Sequence, residues 1–375
     1  MNYLLRFVIF GAITLASIGS FNWLVDPYGL YWSPTIHGFN AKKTESSERG
    51  RQTKGYRLTA IRPQVLIMGN SRVEMGLSTE HPTFSNRRVY NSGIPGLSLD
   101  QQYARTIEQI NQNPELKEVY LSLDFLDFLY MDPSVDDGWH PSVAGEFRAI
   151  NFIFSLDTLT NSVSTIINQQ KLANYIDRHG VHIPESYQAI LSTEGIRPLF
   201  TQKLGSISHQ LSNRPLKISA DGKHNQGIAM LQYVIDAANA KNITIHLFTN
   251  PYHYSYLHTL KDAGYWQKFI EWKILLAHLA NKNHLIITDF SGFNKYSLEN
   301  VDLQQPHKAM NWFWEPAHYR AELGDLMLDE LNELAQHGIG RKLSEESIAN
   351  IITEDNQNVT KSMERWQKLK QALLL

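Results

Sequence analysis

The sequence predicts an α/β fold built around a central parallel sheet. Short apolar runs alternate with amphipathic stretches of helical period through most of the chain, and one run, Val65-Leu66-Ile67-Met68, is apolar without a break. Strands separated by helix-length segments read as βαβ units. Unbroken hydrophobicity marks a strand covered on both faces, so the expected architecture is a three-layer α/β/α sandwich. A charge-free N-terminal segment adds a transmembrane helix in front of it.

That segment runs from Phe7 to Val25. As a helix it spans about 28 Å at ~1.5 Å per residue, close to the hydrocarbon thickness of a bilayer. Arg6 and the terminal amine lie on its near side, so the positive-inside rule puts the N-terminus in the cytoplasm and everything after the anchor (1–27) outside. A cleaved signal peptide is the rival reading, with Ala16-Ser17-Ile18-Gly19-Ser20 as its small-residue site. Hydrophobicity continuing through Phe21, Trp23, Leu24 and Val25 favours the anchor. Trp23, Tyr28, Tyr31 and Trp32 suit the outer interface, where amphipathic aromatics collect. Residues 28–60 read as a juxtamembrane linker. Its basic cluster (Lys42, Lys43, Arg49, Arg51, Lys54), interrupted by Glu45 and Glu48, reads as solvated.

Beyond the linker, the candidate strands are Val65–Met68, Arg88–Asn91, Glu118–Leu123, Ile243–Thr249 and Leu285–Asp289. Amphipathic segments between them include Leu99–Gln112, Gly227–Ala240 and Tyr265–Asn281. These compose an α/β domain over 61–340. A stretch of about 132–224 breaks the alternation and is far longer than an ordinary crossover. With helical pieces at Phe147–Asn168, Tyr187–Leu191 and Pro198–Leu211 and no convincing strand, it reads as a helical insertion that caps the strand ends. Residues 341–375 read as a separate helical tail. Every candidate strand ends in polar or Gly-containing sequence, and that edge is where parallel sheets bind ligands.

Composition narrows the function. Net charge is −2, so no global charge points to nucleic acid. With no cysteine, thiol catalysis, thiolate metal sites and disulfides are excluded. No histidine pair has helical metal-ligand spacing beside an acidic residue, so neither metal nor cofactor is expected.

The chemistry-bearing residues are Gly69-Asn70-Ser71-Arg72 and Glu315-Pro316-Ala317-His318. A serine after a buried strand and before a helix sits where unpaired N–H groups favour negative charge. It needs a base to take its proton, and the base needs a third group to hold its tautomer. Ser71, His318 and Glu315 fill those roles. Both motifs are short. Gly76-Leu77-Ser78 and Gly96-Leu97-Ser98 repeat the first, and Asp137/His140 and Asp221/His224 repeat the second. Placement singles out Ser71 directly after a strand, and Glu315/His318 between the last candidate strand and a helix at Ala321–Ala335.

This order of motifs resembles the SGNH/GDSL hydrolase superfamily over roughly residues 65–334, interrupted by the insertion. The resemblance implies an SGNH/flavodoxin-like sheet and an acyl-enzyme at Ser71, with Asn70 where the family has Asp and Glu315 where it has Asp. Tyr90-Asn91-Ser92-Gly93-Ile94-Pro95-Gly96 matches the block that supplies an oxyanion N–H, and spacing favours Gly96 over Gly93. The family's third block carries an oxyanion Asn. Here the third strand runs into Asp124, which cannot donate unless protonated. Asn250, at the end of the fourth strand, is the alternative donor.

A membrane anchor joined to such a domain is similar to bacterial envelope proteins that O-acetylate polysaccharides, such as the alginate acetylation proteins, and to D-alanylation proteins of the cell wall. That likeness implies a periplasmic serine esterase or O-acyltransferase held at the bacterial inner membrane. Its substrate is a carbohydrate or acyl ester, and an integral-membrane protein delivers the acyl group. The alternative is a catalytically inactive SGNH-like domain that binds polysaccharide or scaffolds an assembly.

Other residues carry two readings each. Arg72 either steers an anionic substrate or pairs with a local carboxylate such as Glu74. Asn250-Pro251-Tyr252-His253-Tyr254 lines the pocket or is an ordinary turn. Trp312, Phe313 and Trp314 stack on a sugar or pack the loop. Arg320 supports the His318 loop or faces solvent, and His246 reads as a core histidine.

Overall fold

The computed structural model describes residues 3–129, 150–212 and 225–375. It is a mixed α/β structure with a mostly parallel sheet, preceded by one apolar helix. Two compact units compose it: Arg62–Val143 with Ala189–Leu375, and Met1–Ile61 with Ala144–Gln188.

In the larger unit the sheet contains β1 (Val65–Met68), β2 (Val89–Asn91), β3 (Glu118–Leu123), β4 (Thr244–Thr249), β5 (Ile287–Asp289) and β6 (Arg341–Leu343). Their spatial order is β6-β5-β4-β3-β1-β2. All neighbours are parallel except β6, which runs antiparallel to β5. The side chains of β1 are wholly buried, as its unbroken apolar run requires. The strand order reverses at β1, so the crevice beyond the carboxyl ends of β1 and β3 is the switch point at which such sheets bind ligands.

Helix Leu99–Gln112 buries Leu99, Tyr103, Ile107 and Ile110 along one face and packs on helix Gln226–Ala240. Helix Ile196–Ser212, from the segment expected as an insertion, belongs to this unit. His246 is half-buried rather than core, stacked on the Tyr120 ring with centroids 4.3 Å apart.

Residues 341–375 are not a separate tail. Arg341-Lys342-Leu343 forms the edge strand β6, and helices Ile348–Lys361 and Met363–Leu373 pack onto the same unit. A buried ion cluster ties them down. Lys273 Nζ lies 3.0 Å from Asp289 and 2.7 Å from Asp355, and Arg341 reaches the same carboxylates at 2.7 and 2.8 Å. A three-residue strand with two cations shows no period in sequence, so its place was illegible there.

In the smaller unit, helix Tyr3–Val25 is long and apolar enough to cross a membrane. Residues 28–60 are folded, in contrast to the expected solvated linker. The Asp26 carboxylate accepts from the N–H groups of Leu30, Tyr31 and Trp32 and shapes the turn after the helix. Lys43 is fully buried and donates to Val25 O at 2.8 Å, satisfying a carbonyl of the last helical turn. Lys54 is buried too, donating to Gly180 O at 2.6 Å. Sequence displays these charges but not the carbonyls that accept from them. Described residues 150–188 of the expected insertion fall in this unit, including a small hairpin (Tyr175–Ile176 with His182–Ile183) too short to leave a pattern.

Removing one member of a buried ion cluster leaves its partners charged and unpaired, a cost of about 3–5 kcal/mol. Lys273→Met is therefore expected to lower the urea midpoint sharply. Lys368→Met, whose side chain is 75% exposed, is expected to leave it unchanged.

Candidate active site

Strand β1 ends at Met68, and the next three residues build the turn that presents Ser71. A side chain at Gly69 would collide with Ser122 Oγ, so the strand can leave the sheet here only on glycine. Asn70 caps the short helix Ser71–Gly76, its Oδ1 accepting from Arg72 N at 3.0 Å. Ser71 is the first helical residue, where N–H groups have no partner within the helix.

The acid and base come from a two-stranded ribbon, Phe313–Glu315 with His318–Tyr319. Pro316 and Ala317 make its turn, and Glu315 and His318 are direct cross-ribbon partners. The three-residue spacing is thus the geometry of a tight hairpin. His318 Nε2 lies 2.7 Å from Ser71 Oγ, and His318 Nδ1 is in contact with Glu315 Oε1. With the Nδ1 proton directed at Glu315, Nε2 is left to accept the serine proton. The other Glu315 oxygen accepts from Ala317 N at 2.8 Å.

Burial works to raise the Glu315 carboxyl. The His318 ring with its hydrogen bond, Lys203 at 3.5 Å and the Ala317 N–H outweigh it and hold Glu315 below the usual carboxylate range. Burial lowers the His318 imidazole. Glu315 opposes that, and Lys203 and Arg72 add to the lowering. The result is an ionised acid beside a neutral base, the protonation states that serine activation needs.

Arg72 pairs with Asp124 and not with Glu74. Its Nε donates to Ala317 O at 2.9 Å, and its guanidinium lies over the rings of Tyr252 and Tyr256 at 5.2 and 5.4 Å. Asn70 Nδ2 also donates to Asp124, at 3.1 Å. Asp124 is therefore a partner for Arg72 and Asn70 in the wall of the site. Arg72 is committed to holding the His318 turn, which leaves little of it for substrate steering.

A cavity of about 420 Å³ opens over this arrangement, lined by Ser71, Arg72, Gly96, Asp124 and His318 among others. Sequence reasoning missed several of its walls. Lys203, Ser206, Ile207 and Gln210 line it from helix Ile196–Ser212, and Ser98, Asp127 and Tyr256 line it together with Leu97, Leu99 and Leu126. The i, i+3, i+4, i+7 spacing of the four helical residues was a readable signal of one shared face.

Asn250 is not among the lining residues. It is fully buried, with Oδ1 3.4 Å from the Tyr319 hydroxyl and Nδ2 without a hydrogen-bond partner among the described residues. Of residues 250–254 none lines the cavity. Tyr252 backs Arg72, and His253 N donates to Pro316 O at 3.2 Å, bracing the turn. Phe313 is buried packing. Trp314 lies against Arg320, whose Nη1 donates to Met310 O at 2.6 Å, so these residues brace the ribbon. Ser98 is on the cavity wall, whereas Ser78 is not. Asp137/His140 and Asp221/His224 lie outside the described residues. Among the described residues no cluster could hold a metal ion.

No family model, no curated protein and no solved structure matches this chain.

Because the neutral imidazole is the reactive form, reactivity is full above the His318 pKa and falls as pH drops through it. The rate at which a fluorophosphonate labels Ser71 should show an acid limb below about 6.5, the ordinary histidine value. Lys203→Met removes a lowering influence and is expected to move that limb upward, which a pH series of labelling rates reads directly.

Proposed function

We propose that this chain is a membrane-anchored serine esterase or O-acyltransferase of SGNH type. It acts on an envelope or exopolysaccharide carbohydrate through an acyl-enzyme at Ser71. The observation that carries the reading is the 2.7 Å contact between Ser71 Oγ and His318 Nε2, with Glu315 on the far nitrogen, at the floor of a cavity.

In the first step Ser71 Oγ attacks the acyl carbonyl as His318 Nε2 takes its proton. The tetrahedral intermediate then expels the alcohol, which leaves with that proton. Water or a sugar hydroxyl next attacks the acyl-serine, again giving its proton to His318, and Ser71 is regenerated when the ester breaks. The backbone N–H groups of Ser71 and Gly96 are the oxyanion donors on this reading. Arg72 cancels the charge that Asp124 would otherwise set against the oxyanion.

Support for a hydroxylated acceptor comes from the lining, where Ser98, Asp127, Lys203 and Gln210 offer both donors and acceptors. The strand order β2-β1-β3-β4-β5 supports the SGNH/flavodoxin-like three-layer arrangement. The apolar helix Tyr3–Val25 supports a single-pass anchor; a bacterial inner membrane, a periplasmic site and an integral-membrane acyl source are what the family resemblance adds to the proposal.

A fluorophosphonate is expected to modify Ser71, identified by peptide mapping, and to leave Ser71→Ala unmodified. With an activated acetyl ester, Ser71→Ala should lose at least ~10³-fold in kcat and Glu315→Gln ~10²–10⁴-fold. A folded parent protein that is neither labelled nor active, yet binds polysaccharide, would overturn the enzymatic reading in favour of an inert binding domain.

A further inference from the structure

We propose that helix Leu156–Ile167 is a second membrane-contacting element. It lies in the lipid interface beside the end of the N-terminal helix, its apolar side turned to the acyl chains. The inference belongs to the smaller unit alone; it rests on the reading of Tyr3–Val25 as a membrane span and not on the enzymatic reading.

The helix is inside out. Its buried side is polar: Thr158, Ser162 and Thr165, at i, i+4 and i+7, are 3%, 0% and 0% exposed. Its outer side is mainly apolar: Leu156, Val163 and Ile167, at i, i+7 and i+11, are 67%, 45% and 66% exposed, and Thr160 among them turns its hydroxyl back to Leu156 O at 3.2 Å. A helix on a water-facing surface has the opposite arrangement. Just before it, Ile150 and Phe154 extend the bare surface, at 59% and 48% exposure. A contiguous apolar patch of this kind marks a contact site.

Continuity with the membrane helix identifies the contact as lipid. Asn22, a polar residue inside the apolar Tyr3–Val25 helix, donates to Ile153 O at 2.8 Å and to Ser155 O at 3.1 Å, and accepts from Ser162 Oγ at 3.1 Å. An amide within a spanning segment must be satisfied by protein, because hydrocarbon offers no partner. These bonds fasten the second helix to the last turns of the first. Closer in, Phe154 and Ile153 pack on Gly19, where an added Cβ would lie 2.7 Å from the Phe154 ring. Between the N-terminal helix and the segment that leads into the second one, an open apolar groove of about 530 Å³ is lined by Ala16, Gly19, Trp23, Ile153 and Phe154 among others. A helix joined to the end of a membrane span, polar toward the protein and apolar away from it, meets the boundary between headgroups and acyl chains.

The chain has no cysteine, so single-cysteine variants report without background. Val163→Cys and Ile167→Cys test the apolar side, and Asp157→Cys, on the polar flank of the same helix, is the comparison. Each full-length variant carries an NBD label in phosphatidylcholine–phosphatidylglycerol vesicles. At 163 and 167 a blue-shifted emission is expected, quenched at least twofold more strongly by doxyl-labelled lipid than at 157, with iodide quenching confined to 157. Leu156→Cys repeats the reading should one of the first two variants misfold. Equal iodide quenching at all positions, with no effect of doxyl lipid, overturns the proposal. That result includes the case in which a membrane protein, absent from these vesicles, is what covers this face.

Discussion

Between the ends of β1 and β3 the Arg72 guanidinium meets the Asp124 carboxylate, and most of the geometry of the site follows from that pair. Arg72 sits on the helix that Ser71 begins, Asp124 directly follows β3, and a second bond, from Arg72 Nε, holds Ala317 O in the turn that carries His318. One cation thus joins three segments that are remote in sequence. Taking an arginine out of water is costly, and here the carboxylate and the two tyrosine faces offset that loss. The charge-assisted bonds that result are strong and directional, which suits a wall against which a serine and an imidazole must be held in register.

The same rule governs buried charge elsewhere. Lys273, Asp289, Arg341 and Asp355 neutralise one another where the C-terminal segment meets the sheet. Lys43 and Lys54 go inside because backbone carbonyls of Val25 and Gly180 receive them. Asn22 is tolerated within an apolar helix because two carbonyls and a serine hydroxyl satisfy its amide. In each case a polar group is buried together with its partner, as the desolvation cost demands. The apolar outer side of Leu156–Ile167 is the complementary case, in which the polar surface has already been spent on the interior.

Much of the sheet was legible because hydrophobic period is a local property. The five expected strands occur within two residues of their expected bounds, and Leu99–Gln112 occurs as read. What failed was short or highly charged. Neither β6 nor the hairpin at residues 175–183 is long enough for a pattern to accumulate, and Lys43 and Lys54 looked solvated because their acceptors are carbonyls. At the site, Ser71, Glu315 and His318 were legible from motif and position. Lys203 was not, since nothing near it in sequence shows that its helix comes within 3.5 Å of Glu315. Asn250 lies off the cavity lining, because occupying the right edge of the sheet does not say which way a side chain is buried.

By itself the sequence determined an apolar N-terminal helix, a buried strand ending at a serine, and an acid held three residues before a histidine, since adjacency and period express all three. Only the tertiary structure decided that this serine, 247 residues away, meets this histidine. It likewise decided that Asp124 answers Arg72, and that a polar-faced helix turns its leucine and isoleucine outward. These outcomes depend on which segments pack together. Packing sets the burial and the partner of every polar group, and no local pattern contains that information.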